Sequence, residues 1–363
     1  MNKGECLMNL QIKETKVICS NPTNPRHNYF AWPSVTRLHD GRLAMVASGF
    51  RMKHVCPFGK AVIAYSSDEG KTWTRPAAVI DTPLDDRDAG ILPFGENSVM
   101  ITSFNNTIEM QRKWNKTNQN PYINAYLDSV NAEKAEERFL GSTFVMSHDN
   151  TTTFGEVKRI PVTAPHGPIL TPDGTILYIG RRFSDNDAVK EDDGIESYKV
   201  NPDGTYEKLG AIENISPELL SCEPHAIALE SGKIIVHIRV QNNGFFSIYQ
   251  SESYDGAKTF TKPHAILPQR GGAPAHLLKL SDGTLISVYG YREAPYGIKM
   301  MYSTDEGETW SYGHDIYVNG ISSDLGYPAS VQLENGDILT VYYAKEKEPG
   351  PAVIMQTIWR FEK

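Results

Sequence analysis

Cysteine is scarce in this chain: four in 363 residues, at Cys6, Cys19, Cys56 and Cys222, with no CxxC pair. That scatter argues against a disulfide framework and against a zinc site. Long apolar runs are missing too. No stretch approaches the ~18 residues of a membrane-spanning helix. The N-terminus, MNKGECLMNLQIKET, lacks the apolar segment of an export signal. A soluble, cytoplasmic protein with no membrane partner is the expectation. Excess positive charge is also absent, the net charge being −8. Nucleic-acid binders are usually basic, so no nucleic-acid partner is expected.

What is present is a repeat. Six segments share one pattern, an apolar run, a glycine turn and a second apolar run: WPSVTRLHDGRLAMVAS, DAGILPFGENSVMITSF, PHGPILTPDGTILYIGR, EPHAIALESGKIIVHIR, PAHLLKLSDGTLISVYGYR and YPASVQLENGDILTVYY. Their glycines, Gly41, Gly95, Gly174, Gly232, Gly283 and Gly336, are 54, 79, 58, 51 and 53 residues apart. A period of about 50 residues made of strands and turns marks a propeller or solenoid. Asp-Gly and Asn-Gly supply the positive φ of two-residue hairpin turns. Each copy therefore reads as the inner hairpin of a four-stranded antiparallel blade. Six blades close an all-β ring, and the whole chain, 1–363, reads as one propeller domain.

Residues 10–19 alternate as a strand and precede the first hairpin, while only one good strand comes after the last. The N-terminal strand is therefore expected to complete the sixth blade. The 79-residue interval holds an insertion over about residues 111–141. Its stretch AYLDSVNAEKAEERFLG is rich in helix formers and predicts a helix lying over one face of the ring. The polar run SDNDAVKEDDG at 184–194 reads as a solvated loop.

A second repeat runs out of phase with the first. Ser66, Asp68, Gly70, Thr72 and Trp73 fit S-x-D-x-G-x-T-W, as do Ser303, Asp305, Gly307, Thr309 and Trp310. Looser copies start at Ser147 and Ser253. In such a turn the carboxylate accepts backbone N–H groups of its own loop, and the aromatic residue is a peg between blades. The motif reads as a folding staple rather than as chemistry.

Hairpin repeats and Asp boxes together cover nearly the whole chain, which resembles the sialidase/neuraminidase superfamily of BNR-repeat proteins, as a divergent member. The resemblance implies a site at the mouth where inner strands begin and second strands end. Four of the six second strands end in Arg, which suits an anionic ligand. It further implies that Arg239 and Arg292 bind a substrate carboxylate, that Tyr327 is the nucleophile and that Glu223 activates it. The family's first arginine is missing, because that stretch reads Phe30-Ala31-Trp32-Pro33; Arg26 lies nearby. The acid/base Asp is missing as well, since Met52-Lys53-His54-Val55-Cys56 comes directly after Arg51. Asp88, Asp86 or His54 could stand in, and Asp88 is taken as the third catalytic residue. Arg51, Arg87, His54, His166, His225 and His276 complete the expected substrate-binding set. The last three share one blade-start pattern. They suit a metal, a general base or hydrogen bonds to neighbouring backbone; no metal or cofactor is expected.

A phenol is neutral until a base takes its proton, so it can approach an anomeric carbon beside a carboxylate without repulsion. Sialidases are the tyrosine exception among two-carboxylate glycosidases. The expected activity is therefore an exo-glycosidase cleaving a terminal acidic sugar, with an acidic carbohydrate as partner. The alternatives are a lyase on a uronate glycan, with a histidine base, and a non-catalytic glycan-binding propeller.

Overall fold

The computed structural model describes residues 9–116, 120–183, 194–242, 245–267 and 271–362. The polar run at 184–193 and Cys6 lie outside them. Six antiparallel sheets form the ring. Blade one contains Tyr29–Arg37, Leu43–Arg51, Lys60–Ser66 and Ala77–Ile80. Blade two contains Arg87–Phe94, Ser98–Phe104, Ser142–Ser147 and Lys158–Ile160. In blade three the inner strand is split into Val162–Thr163 and Ile169–Leu170, both paired to Ile176–Arg182; Ile195–Val200 and Tyr206–Ile212 complete the sheet. Blade four contains Leu220–Ala228, Ile234–Asn242, Phe245–Ser253 and His264–Ala265, and blade five Gly272–Lys279, Leu285–Tyr291, Tyr296–Ser303 and Ser311–Gly320. Blade six joins Gly326–Gln332, Ile338–Lys345 and Ala352–Glu362 to the N-terminal strand Asn9–Cys19, which pairs antiparallel from Leu10↔Phe361 to Cys19↔Ile354. First and last strands of the chain thus share one sheet.

All six hairpin glycines have positive φ, from 57° to 89°. The turns differ from the two-residue form expected. Leu38 N–H donates to the Arg42 carbonyl and Gly41 N–H to the Leu38 carbonyl, which encloses three residues. The same pair of bonds recurs at Thr171, Leu229, Leu280 and Leu333. In this loop the glycine takes the left-handed bulge position after the turn. The cores are wedges between neighbouring sheets. One packs Met45, Val62 and Leu339 between blades one and six; another packs Ile179, Val236 and Ile238 between blades three and four.

The insertion forms three short helices, α1 (Ile108–Asn115), α2 (Pro121–Ser129) and α3 (Ala132–Phe139), not the single helix expected across its second half. Asn131 causes the break. Its side chain accepts from Lys134 N–H and caps α3, after Val130 has turned extended. Ile108, Ile123, Leu127 and Ala135 pack onto Leu84 between blades one and two. Leu84 lies just before the inner strand of blade two, so the insertion sits at the end where inner strands begin. Cys19, Cys56 and Cys222 are free and buried. Among the described residues no helix is long and apolar enough to cross a membrane.

Candidate functional site

The inner strands share a distortion at their starts. In five blades two inner residues oppose one residue of the second strand: Trp32-Pro33, Asp88-Ala89, Glu223-Pro224, Ala273-Pro274 and Tyr327-Pro328. Such bulges re-aim a side chain. Trp32, Asp88, Glu223 and Tyr327 take φ of 56°, 42°, 48° and 49° there. Left-handed backbone at a non-glycine residue costs about 1–3 kcal/mol. Four such positions around one mouth mark a place where side-chain direction matters more than local stability.

Glu223 and Tyr327 face one another across the mouth. The Tyr327 hydroxyl donates to Glu223 Oε1 at 2.6 Å and accepts from Arg239 Nη1 at 3.1 Å. Arg239 Nη1 also donates to Glu223 Oε2. Arg292 lies over the Tyr327 ring, 5.4 Å from its centroid, and donates to the Leu325 carbonyl and to Tyr343 Oη. Burial pushes the Tyr327 phenol well above its ordinary range, and the Glu223 charge adds to this against Arg239. For Glu223, burial pulls upward. The Arg239 charge, with hydrogen bonds from Tyr327 and Arg239, outweighs it and holds the carboxyl below its ordinary value. At neutral pH the pair is a neutral phenol and a carboxylate.

Asp88 is the second acid. It is buried and lines the cavity beside Glu223 and Arg239, and its Oδ1 has no hydrogen-bond partner among the described residues. Burial pushes its carboxyl up to about 7, Arg87 opposes and the Glu223 charge adds. Two neighbouring carboxyls with ionisations pushed apart are the arrangement of an acid and a base. The cavity, about 170 Å³, lies between blades two, three and four; Arg181, Arg182, Phe104 and Phe183 also line it. Tyr327, Arg292 and Tyr343 stand beyond the Glu223–Arg239 pair, toward blades five and six.

Arg51 is not part of this surface, contrary to expectation. It is wholly buried and grips Asp85 with both amino groups, at 2.6 and 3.0 Å. Gln111 of α1 also donates to Asp85 at 3.0 Å, which ties the insertion to the pair. Arg51 and Arg87 lie over the Trp32 ring, at 4.8 and 4.3 Å from its centroid, and Arg87 comes within 3.6 Å of Asp85. Trp32 is thereby held as the floor between His54, Tyr327 and Tyr343. Asp86 is likewise structural, accepting from Thr82 N–H and Thr82 Oγ1 in a buried turn. Arg26 lies over the Tyr122 ring of α2.

His54 stands at the rim, its Nδ1 2.9 Å from Tyr29 Oη and 3.0 Å from Asp324. His166, His225 and His276 do converge, but on each other. Their ring centroids are 4.4–5.5 Å apart. Leu277 N–H donates to His225 Nδ1, and Ser34 Oγ meets His166 Nδ1. None of the three lines the cavity, and neither do Tyr327 and Arg292. Among the described residues no cluster of His, Cys, Asp and Glu is arranged to hold a metal. Tyr29 and Asp324 carry no signal in the sequence pattern, since neither lies in a repeat. Arg181 and Arg182 are marked there only as the end of a second strand, with no role attached.

A six-bladed ring with its polar groups at the inner-strand mouth is a sialidase-like architecture. The BNR repeat-like domain family matches residues 126–340, more than half of the chain, and the protein belongs to that family. No curated protein matches it. Among solved structures, a Dyadobacter fermentans protein of unknown function superposes with a TM-score of 0.79 at 20% identity, over 97% of this chain and 99% of that one. The NanB sialidase of Streptococcus pneumoniae gives 0.67 at 12% identity, over 96% and 70%. An alpha-L-arabinanase of Penicillium chrysogenum gives 0.63 at 13%, over 95% and 98%. The fold is one that glycoside hydrolases use.

Proposed function

We propose that the protein is a glycoside hydrolase that releases a terminal acidic sugar, sialic acid or a related carboxylated sugar. The observation that carries this is the hydrogen-bonded unit Arg239–Glu223–Tyr327 next to the buried Asp88, whose Oδ1 has no hydrogen-bond partner among the described residues and whose carboxyl is pushed up by burial. Asp88 donates its proton to the glycosidic oxygen as that bond breaks. Tyr327 attacks the anomeric carbon while its proton passes to Glu223, and a glycosyl–tyrosine linkage forms. Water then attacks the same carbon, Asp88 takes its proton, and Glu223 returns the phenolic one. Two displacements retain the anomeric configuration. Arg239, at 3.1 Å from the phenol oxygen, stabilises the charge that develops there.

The lyase reading needs an imidazole base at the sugar. His166, His225 and His276 stack on one another, and His166 and His225 bond Ser34 and Leu277 rather than any member of the Arg239–Glu223–Tyr327 unit, which favours hydrolysis.

The test is release of free sugar from a panel of sialosides and other acidic glycosides. Turnover is expected to fall as pH rises through about 7, where Asp88 loses its proton. Asp88→Asn should lower the rate by about 10²–10⁴ and abolish that alkaline limb. Binding of acidic sugars without release of any, by a folded sample, would leave a glycan-binding propeller and overturn the proposal.

A further inference from the structure

We infer that His54 forms the leaving-group side of the site, its Nε2 accepting a hydrogen bond from a hydroxyl of the neutral sugar to which the acidic sugar is joined. This rests on the hydrolase reading, and it names the chemical class of the group that departs.

The surroundings of His54 present one atom to the mouth. A carboxylate can only accept, so the Asp324 oxygen 3.0 Å from His54 Nδ1 places the ring proton there and leaves the lone pair on Nε2. Tyr29, a buried phenol, donates to both Asp324 oxygens, at 2.9 and 3.1 Å, and its Oη also lies 2.9 Å from Nδ1. Lys345 stands 3.6 Å from the same carboxylate. Burial pulls the Asp324 carboxyl upward, but the bonds from His54 and Tyr29 and the Lys345 charge outweigh it and hold the group below its ordinary value. For His54, burial and the Arg87 and Arg51 charges outweigh Asp324 and depress the imidazole, so the ring is uncharged near neutral pH. The loop is held as well, since Arg51 Nη2 donates to the His54 carbonyl at 2.9 Å. Groups from blades one and six thus grip one edge of the imidazole. The other edge is open: the side chain is half-exposed, and among the described residues Nε2 has no hydrogen-bond partner.

The position suits a leaving group. One indole, Trp32, connects His54 to the nucleophile, its ring centroid 5.0 Å from His54 and 6.3 Å from Tyr327. The cavity with Asp88, Glu223 and Arg239 lies on the other side, toward blades two to four. In-line attack sends the leaving group away from the buried Tyr327 and so toward the exposed rim. An uncharged acceptor there favours a hydroxyl. A carboxylate or phosphate has no proton to offer at neutral pH and would meet the imidazole lone pair.

The test uses two glycosides of one acid: sialyllactose, whose leaving group carries hydroxyls, and methylumbelliferyl N-acetylneuraminide, whose leaving group carries none. His54→Phe should lower kcat/KM for the first by about two- to tenfold, the net worth of one neutral hydrogen bond, and leave the second within about twofold. Asp324→Asn offers Nδ1 either an oxygen or an amide N–H, so it should mix the two tautomers and give a smaller loss on sialyllactose alone. Imidazole nitrogen NMR reads the same contact without turnover. In Tyr327→Phe, which spares the trisaccharide, the His54 Nε2 resonance should be that of an unprotonated nitrogen. It should move with sialyllactose and not with free N-acetylneuraminic acid. That shift without cleavage of any glycoside would sink the hydrolase reading and uphold the hydroxyl contact; cleavage of other acidic glycosides without the shift would do the reverse. The inference is also overturned by equal losses on the two glycosides, by a proton on Nε2 in the free protein, by an equal shift with the free acid, or by an unsaturated product that needs His54, which would make the imidazole a base.

Discussion

At the hairpin end of the ring, four turns repeat one another closely; at the opposite end, one backbone device, the bulge shared by five blades, presents five different side chains. Asp68, Asp149, Asp255 and Asp305 each accept from a threonine N–H at 2.9–3.0 Å and from the same threonine's hydroxyl at 2.5–2.7 Å. Two of these boxes dock onto the preceding blade in the same way. Gln356 accepts from Trp73 Nε1 and donates to the Gly70 carbonyl, and Gln250 does so with Trp310 and Gly307. At the mouth, Trp32, Asp88, Glu223, Ala273 and Tyr327 open the five bulges, and no two of them are the same residue type. One end holds the sheets in place through its side chains. The other uses a shared backbone shape to aim whatever side chain a blade provides. Damage at the first end should appear as lost stability with intact chemistry, and damage at the second as the reverse.

The largest separation is expected at the phenol–carboxylate couple. Tyr327→Phe should lower turnover on the order of 10⁴-fold or more with the melting temperature nearly unchanged, because groups acting as a unit fail together. Adding Glu223→Gln to that variant should cost little further activity, since Glu223 works through Tyr327. Multiplicative losses, read from kcat in single and double variants, would dissolve the unit and break the comparison.

Asp85 lies where the two ends should stop being separable. It belongs to the mouth, yet it forms a wholly buried ion pair with Arg51. Removing one partner of such a pair costs about 3–5 kcal/mol, because the other charge stays buried and unpaired. Asp85→Asn should therefore lose both stability and activity as Trp32 shifts. Gly59→Ala should do the same without touching a charge, as its methyl would collide with Arg51 Nη1 and Asp85 Oδ1. Denaturant unfolding beside an activity assay checks both. Full stability in either would sink the idea that this pair carries the floor.

The same contrast explains what could be read from the chain. Turn glycines and Asp boxes are legible because only certain residues fit their geometry, and those residues recur. Bulges are not. Trp32, Asp88, Glu223 and Tyr327 sit at φ values that their types disfavour, so local pattern argues against the conformation they adopt. Arg51 and Arg239 lie toward the mouth end of equivalent second strands and look alike in sequence, although Arg51 stands three residues past the register position that Arg239 occupies. Their fates are set by where the nearest carboxylate falls, Asp85 under the floor or Glu223 facing the mouth. The histidines show the same blindness. His225 stands two residues after Glu223, and the intervening bulge decides which of them reaches the cavity. A register change cannot be counted from residue spacing alone. The insertion is legible as helix, but the cap that Asn131 places on α3 is hidden inside a run of good helix formers.

A smaller effect tests the staple end directly. Asp305→Ala removes bonds to Thr309 and Ser303 in a turn that Trp310 ties to blade four. Three bonds at a net contribution of about 0.5–1.5 kcal/mol each predict a loss of about 1.5–4.5 kcal/mol. Turnover at a temperature where the variant stays folded should match wild type. A fall in kcat would show that staples reach the chemistry.

The histidine stack gives the finest comparison, because at neutral pH it should do nothing. Burial depresses His276 to about 3 and His166 and His225 well below their usual value. These rings are neutral in the fold, whereas in the unfolded chain they bind protons below about 6.5. The unfolded state then holds the extra protons, so stability is full above about 6.5 and falls as pH drops toward about 3. Each ring contributes a slope of about 1.4 kcal/mol per pH unit in that window. His237, depressed to about 3, adds a fourth ring to the same side of the balance. Asp86 and Asp88, raised to about 7, act in the opposite sense between about 4 and 7, being protonated in the fold and ionised when unfolded. Four rings against two carboxyls leave a net loss on acidification. His276→Asn should remove one ring's share, changing the slope of unfolding free energy against pH while leaving the value near neutral pH close to that of a simple packing change. An unaltered slope would mean that the stacked imidazoles already share protons in the folded ring.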